Sequence, residues 1–177
     1  DEYMQMFTYF IRHKEMEVPV EGAILSSVVP SLTVLIREAI RKVFGCDVLV
    51  VGAGVKTGLP IKMDNPNEVG ADLVCDAVGA VVKFGYPCII ADLGTASKLI
   101  LVDKNGCFAG GIIMPGLKIS GTALSSSAAQ LPEISFVPPE KVIGKNTPDS
   151  MNSGCVYGLI ASLEGLSDKF EKEIGYE

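Results

Sequence analysis

The chain of 177 residues has no tryptophan, one histidine and no CxxC pair. With only His13, a His-rich metal site is excluded, and a Ser-His-Asp triad would have to be built on that one ring near the chain start. Positive charge is also in short supply. Fifteen Lys and Arg face 21 Asp and Glu, for a net charge of −6, which argues against a nucleic-acid partner or a membrane-surface footprint. No uninterrupted apolar run reaches the roughly 18 residues of a membrane span. The five cysteines, Cys46, Cys75, Cys88, Cys107 and Cys155, are odd in number and scattered. That usage reads as reduced thiols of a cytoplasmic protein. The opening DEYMQMFTYF is charged and carries no initiator Met, so no signal peptide is expected, and residues preceding Asp1 are.

What the chain does have is core: 48% of its residues are hydrophobic, which rules out a largely disordered polymer. Tyr3, Met6, Phe7 and Phe10 recur at helical spacing over residues 3–13. AILSSVV (23–29) predicts a buried strand ended by Pro30, followed by a helix that Ser31 can cap and Gly45 closes, with a stripe through Leu35, Ile36, Ile40 and Phe44. DVLVVG (47–52) predicts a second strand, and this βαβ alternation predicts a parallel, helix-covered sheet. The turn-rich stretch 52–72 is too long for a simple connection and is expected to be functional. Residues 67–84 predict a helix with Asn67 as cap and Val74, Ala77, Val78, Val81 and Val82 facing inward.

After Pro87 the pattern changes. Strands are expected at 88–94, 98–103 and 107–116, with Lys104-Asn105-Gly106 turning an antiparallel hairpin. A helix over 117–131, an irregular stretch over 132–148 and a long final helix complete the reading.

Three groups of residues carry chemistry. In IIADLGTASK (89–98) a strand delivers Asp92, and Gly94-Thr95 turn sharply into the next strand. Backbone N–H groups and a hydroxyl in such a turn hold phosphate oxygens, and the carboxylate holds a metal or its water. Read alone, the same residues suit a strand-end Asp capping a hairpin better, because a lone DxGT is a weak signal. In DNPNEVGAD (64–72), Gly70 and Ala71 allow close approach, and Asp72 lies early in a helix, where the dipole favours its ionised form. An ionised Asp there can take the proton of an attacking hydroxyl or simply complement the dipole. In AGGIIMPGLKIS (109–120) and VIGKNTPDSMNSG (142–154), glycines and prolines break strands ahead of helix starts, and Thr147, Asp149 and Ser150 are candidate caps.

The order of these pieces resembles one family. GVKTGL (54–59), DNPNEVGAD (64–72), DLGTAS (92–97), GGIIMPG (110–116), LP (131–132) and IGKNTPDSMNSG (143–154) are similar to the motifs of the type III pantothenate kinases over nearly the whole chain. The resemblance implies an α/β protein with the ribonuclease-H-like fold of the actin/Hsp70/sugar-kinase (ASKHA) superfamily. Its remainder of the N-terminal half would span residues 1–86, with the substrate loop, and its second half residues 87–177. It implies ATP-dependent phosphorylation of pantothenate to 4'-phosphopantothenate, the first step of coenzyme A biosynthesis, with Mg²⁺ and a monovalent cation (K⁺ or NH₄⁺).

The resemblance further implies a dimer, either of identical subunits or with a paralogous subunit. By position, Asp72 matches the catalytic base, while Gly70, Ala71, Leu73, Met63 and Thr147 match substrate-binding positions. Gly94, Thr95 and Ala96 match the nucleotide-facing turn, and Asp92 the metal or cation carboxylate.

The family's opening strand and DxGNT phosphate loop have no counterpart here, so further residues are expected before Asp1 and after Glu177. Four internal positions also depart. An Arg following the GAD triplet is Leu73, an aromatic residue before DNP is Met63, and the GTATTxD stretch reads GTASKLI, which introduces Lys98 and Ile100. Leu73 removes a cation that would face the pantothenate carboxylate. Lys98 offers an ammonium in place of a lost Asp–cation pair. The alternative reading of these departures is a catalytically degraded paralogue that partners an active kinase subunit.

Overall fold

The computed structural model describes residues 2–13, 19–128 and 130–175, a mixed α/β chain. It divides into two compact units, Asp1–Leu59 with Asp64–Val78, and Pro60–Met63 with Gly79–Glu177.

In the first unit, α1 (Glu2–His13) packs on α2 (Pro30–Phe44), with the Phe7 and Phe44 rings 5.8 Å apart. Met6 and Phe10 of the expected stripe are about half exposed, because the inward face of α1 runs through Tyr3, Met4 and Phe7 instead. Likewise Leu35 is exposed while Ala39 and Ile40 are buried, since the α2 stripe follows Ile36, Ala39 and Ile40. Strands β1 (Ala23–Leu25) and β2 (Val48–Val50) pair in parallel, Ala23 opposite Val48, and α2 packs against both. This is the βαβ unit that the alternation predicts, but β1 is not the buried strand expected. Ile24, like Leu49 of β2, is exposed, because the residues of a strand point alternately to opposite faces of the sheet. β1 is shorter than expected because the Val29 N–H bonds back to Ser27 Oγ, turning the chain out of the ladder. Helix α2 starts at Pro30 with Val29 as its cap, so Ser31 does not cap it. Gly45 closes it in the left-handed conformation, donating to Arg41 O.

A 3-10 turn at Pro66–Glu68 precedes α3 (Ala71–Phe84). Asn67 lies inside that turn and caps nothing; Gly70 O accepts the first helical bond, from Val74 N at 3.1 Å. Val74 and Ala77 are buried, as expected. Val82 is 82% exposed. Eight residues on from Val74 is about 80° round the helix, off the inward stripe.

The second unit holds an antiparallel sheet in the order β3 (Cys88–Leu93), β4 (Ala96–Val102), β5 (Phe108–Pro115). The central strand carries the core: Leu99, Ile100 and Val102 are fully buried, beside Phe108 of β5. The β4–β5 turn forms at Lys104–Gly106 as expected. Asp103 Oδ1 accepts the N–H groups of Asn105 and Cys107 at 2.9 and 3.0 Å, and Gly106 takes a positive φ of 72°. A register irregularity at Leu101/Val102 falls opposite Gly110, whose φ is 136°. Gly111 is required by close approach, since a Cβ there would collide with Leu99 O.

Two helices complete the unit, α4 (Leu117–Ser127) and α5 (Thr147–Ile174). The expected helix over 117–131 ends four residues early, and its residue 129 lies outside the described residues. Tyr157 OH donates to Pro139 O at 2.7 Å, and Ser153 Oγ to Val142 O, fastening the irregular stretch to α5. No helix among the described residues is long and apolar enough to cross a membrane.

Candidate active site

Four places gather the residues singled out in the sequence. The first is the start of α3. A Cβ on Gly70 would collide with Asp72 Oδ1 and stand 3.6 Å from Val28 Cγ1. The Asp72 carboxylate folds back over the backbone that enters the helix, so a side chain at position 70 would make that carboxylate rotate away. Asp72 sits in the first helical turn between Ala71 and Leu73, and all three are half-buried. Ahead of them, Asn65 Nδ2 donates to Glu68 Oε1 at 2.7 Å and stiffens the 3-10 turn.

The second place is the β3–β4 turn. Asp92 stands opposite Lys98 in the ladder, and Lys98 Nζ donates to Asp92 Oδ2 at 2.7 Å. Their side chains keep only 25% and 18% exposure, so the pair is substantially shielded from water. Beyond it the turn closes with Gly94 N–H on Ala96 O at 3.1 Å. Gly116, just before α4, donates to Thr95 O at 3.1 Å, and a Cβ there would collide with the carbonyls of Gly94 and Thr95. The start of α4 is thereby seated directly on the Gly94-Thr95 turn. Such a turn beside a helix N-terminus presents N–H groups to an anion.

The third place is Met63, whose sulfur would lie 3.8 Å from a Cβ on Gly110. Residues Pro60–Met63 run alongside β5: Phe108 N–H donates to Pro60 O and Lys62 N–H to Phe108 O, both at 2.8 Å, a parallel bridge centred on Ile61. The fourth is the start of α5, where a cavity of about 600 Å³ is lined by Lys145, Asn146, Thr147, Ser150 and Leu124, among others. The helix cap is Asn146 and not Thr147, Asp149 or Ser150: Asn146 Oδ1 accepts from Asp149 N–H at 2.8 Å, and its Nδ2 donates to Asp149 Oδ2 at 2.7 Å. This reciprocal pairing leaves Thr147 as the first helical residue, lining the cavity.

Among the described residues no group of three or more His, Cys, Asp or Glu side chains could hold a metal ion. The cationic neighbour of Asp92 is Lys98. The five cysteines are free thiols, and burial pushes Cys88 and Cys155 above the usual thiol value.

Residues 1–169 match the type III pantothenate kinase family. Proteins named type III pantothenate kinase from Exiguobacterium sp. and Moorella thermoacetica are 42% and 39% identical over 176 residues. Each match covers 99% of this chain and 69% of the relative. The chain belongs to the type III pantothenate kinase family. The relative from Halalkalibacterium halodurans, with the same name, is 38% identical over 174 residues, 98% of this chain and 68% of its own. A solved structure from Campylobacter jejuni, described as a conserved Baf family transcriptional activator, aligns with a TM-score of 0.57 at 15% identity. It covers 86% of this chain and 67% of that one, a likeness of fold.

Within this pantothenate kinase chain, Asp72 belongs to the first unit, while Asp92, Met63 and Thr147 belong to the second. Two features escaped the sequence reading. One is Asn146, whose Asn-x-x-Asp spacing is a capping signal in hindsight. The other is the ion pair of Lys62 with Asp103, 41 residues apart, which no local pattern announces.

Proposed function

We infer that this chain transfers the γ-phosphoryl group of ATP to the primary hydroxyl of pantothenate, forming 4'-phosphopantothenate, the first step of coenzyme A biosynthesis. The observation that carries this reading is the family match over residues 1–169 together with relatives about 40% identical over nearly the whole chain.

Asp72 is the proposed base. Its place in the first turn of α3 favours the ionised form that accepts the hydroxyl proton. Gly70 and Ala71 allow the acceptor close to the backbone, Leu73 and Met63 line its path, and Thr147 reaches it with a hydroxyl. Gly94, Thr95 and Ala96 face the phosphates, supported by the seat that Gly116 makes for α4. Positioning and charge neutralisation supply the catalysis, as phosphoryl transfer requires.

Mg²⁺ is proposed to enter with the triphosphate and to take at most Asp92 from the protein, where it would neutralise charge on the phosphates; magnesium commonly binds through one carboxylate, substrate phosphates and water. A monovalent cation fits this chain less well. The carboxylate oxygen it would share already receives the Lys98 ammonium at 2.7 Å, and we propose that Lys98 stands in its place.

The finer architecture belongs to the same proposal: an ASKHA fold of two ribonuclease-H-like halves, residues 1–86 and 87–177, in a cytoplasmic dimer of identical subunits or with a paralogue. The test is ADP release dependent on both ATP and pantothenate, measured for the protein alone and with any paralogue. Turnover by the protein alone supports the reading. Turnover only in the mixture makes this chain a partner subunit, and absence of turnover in both removes pantothenate as its substrate.

A further inference from the structure

The Lys62–Asp103 pair lies outside the residues assigned any chemistry, yet its geometry is specific. Lys62 Nζ donates to Asp103 Oδ2 at 2.8 Å. The other carboxylate oxygen, Oδ1, is occupied by the N–H groups of Asn105 and Cys107 at 2.9 and 3.0 Å. The same β4–β5 turn is closed by Asp103 N–H on Cys107 O and Gly106 N–H on Asp103 O, both 2.9 Å. One carboxylate therefore ties a rigid turn to the short segment Pro60–Met63.

That segment is held at two further points, Phe108 N–H on Pro60 O and Lys62 N–H on Phe108 O, both 2.8 Å. Phe108 is almost fully buried, so its backbone is a fixed reference. Met63 follows Lys62 directly and lies against Gly110, the one residue of β5 with a positive φ. A Cβ at position 110 would make only ordinary van der Waals contact with the Met63 sulfur, and it is the positive φ that favours glycine there.

We propose that Lys62 and Asp103 are positioning residues that set Met63, and through it the pantothenate acceptor, by clamping Pro60–Met63 to the β4–β5 hairpin. The proposal rests on the reading of Met63 as an acceptor-lining residue, given above. Neither Lys62 nor Asp103 is asked to touch substrate. Half the Lys62 side chain is exposed, so the clamp is a modest device, tuned by geometry more than by strength.

The test is Lys62→Met in the full chain, which keeps the stem and removes the charge, with Lys62→Arg as the conservative variant. Lys62→Met is expected to raise KM for pantothenate about threefold, with kcat and KM for ATP within error of wild type. Lys62→Arg is expected to restore KM. Amide exchange at Lys62 and Phe108 is expected to quicken in Lys62→Met alone. An unchanged KM for pantothenate in an active enzyme overturns the proposal. So does a parallel change in both KM values, kcat and Tm, which marks a merely structural pair. If wild type shows no turnover of pantothenate, the function reading fails by itself. The acceptor role then falls with it, and exchange decides the clamp on Pro60–Met63 by itself: unchanged protection at Lys62 and Phe108 overturns it, and faster exchange sustains it.

Discussion

Lys98 and Asp92 face each other across the β3–β4 ladder with their charged atoms 2.7 Å apart, one rung before the Leu93–Ser97 pair that leads into the Gly94-Thr95 turn. Lys98 is one of the four positions read from the sequence as departures from the family motif, and its ammonium is covalently part of the strand. A diffusible cation must be collected from solution; a lysine opposite its carboxylate in register is already there.

Removing that ammonium is expected to expose the difference. Lys98→Thr should lower turnover by about tenfold to a hundredfold, the loss typical of a shielded charge-assisted hydrogen bond. K⁺ or NH₄⁺ should then restore part of it. Wild type, assayed across 0 to about 100 mM KCl at constant ionic strength, should change little. Strong K⁺ dependence of wild type would remove Lys98 from that role.

Asp72→Asn keeps the shape of the α3 first turn and removes its charge. Turnover should fall by about 10²- to 10⁴-fold, the range for a lost general base. Stability should drop by no more than about 1 kcal/mol from the weaker match to the helix dipole. Steady-state kinetics beside a thermal melt separates the two effects, and an unchanged kcat would take Asp72 out of the mechanism.

Gly116→Ala places a methyl group against the carbonyls of Gly94 and Thr95. Backbone cannot retreat as a flexible side chain would, so a destabilisation of about 1–3 kcal/mol is expected. Since those carbonyls belong to the proposed phosphate turn, KM for ATP should rise with KM for pantothenate little affected. Equal stability of the variant would show that α4 is not seated on the turn.

Acid should loosen the β4–β5 turn in a defined window. The Lys62 ammonium and the N–H groups of Cys107 and Asn105 hold the Asp103 carboxyl well below the usual carboxylate range. A carboxyl lowered on folding stabilises the native state fully above its unfolded value of about 3.9. That contribution fades as pH falls from there toward the folded value. The melting-temperature gap between wild type and Asp103→Asn should therefore be constant from about pH 7 to 5 and shrink below about pH 4. A gap independent of pH down to about 3 would mean that the charge of Asp103 contributes nothing.

Much of this chain could be read from its residues in order. Alternation of short apolar runs with a helical stripe specified the βαβ unit. Lys104-Asn105-Gly106 specified a hairpin, and Gly45 a helix end, because each depends on backbone preferences within a few residues. The motif order around Asp72, Asp92 and Thr147 pointed to the family for the same reason, as local strings survive in one dimension. Tertiary structure decided the rest. It chose Asn146 over Thr147 as the cap of α5, turned Val82 outward on α3, seated Gly116 on the turn at Thr95, and joined Lys62 to Asp103 across 41 positions. Those outcomes depend on which surfaces meet and which polar atoms remain to be paired when they do, and a distance through space has no signature in the spacing of letters.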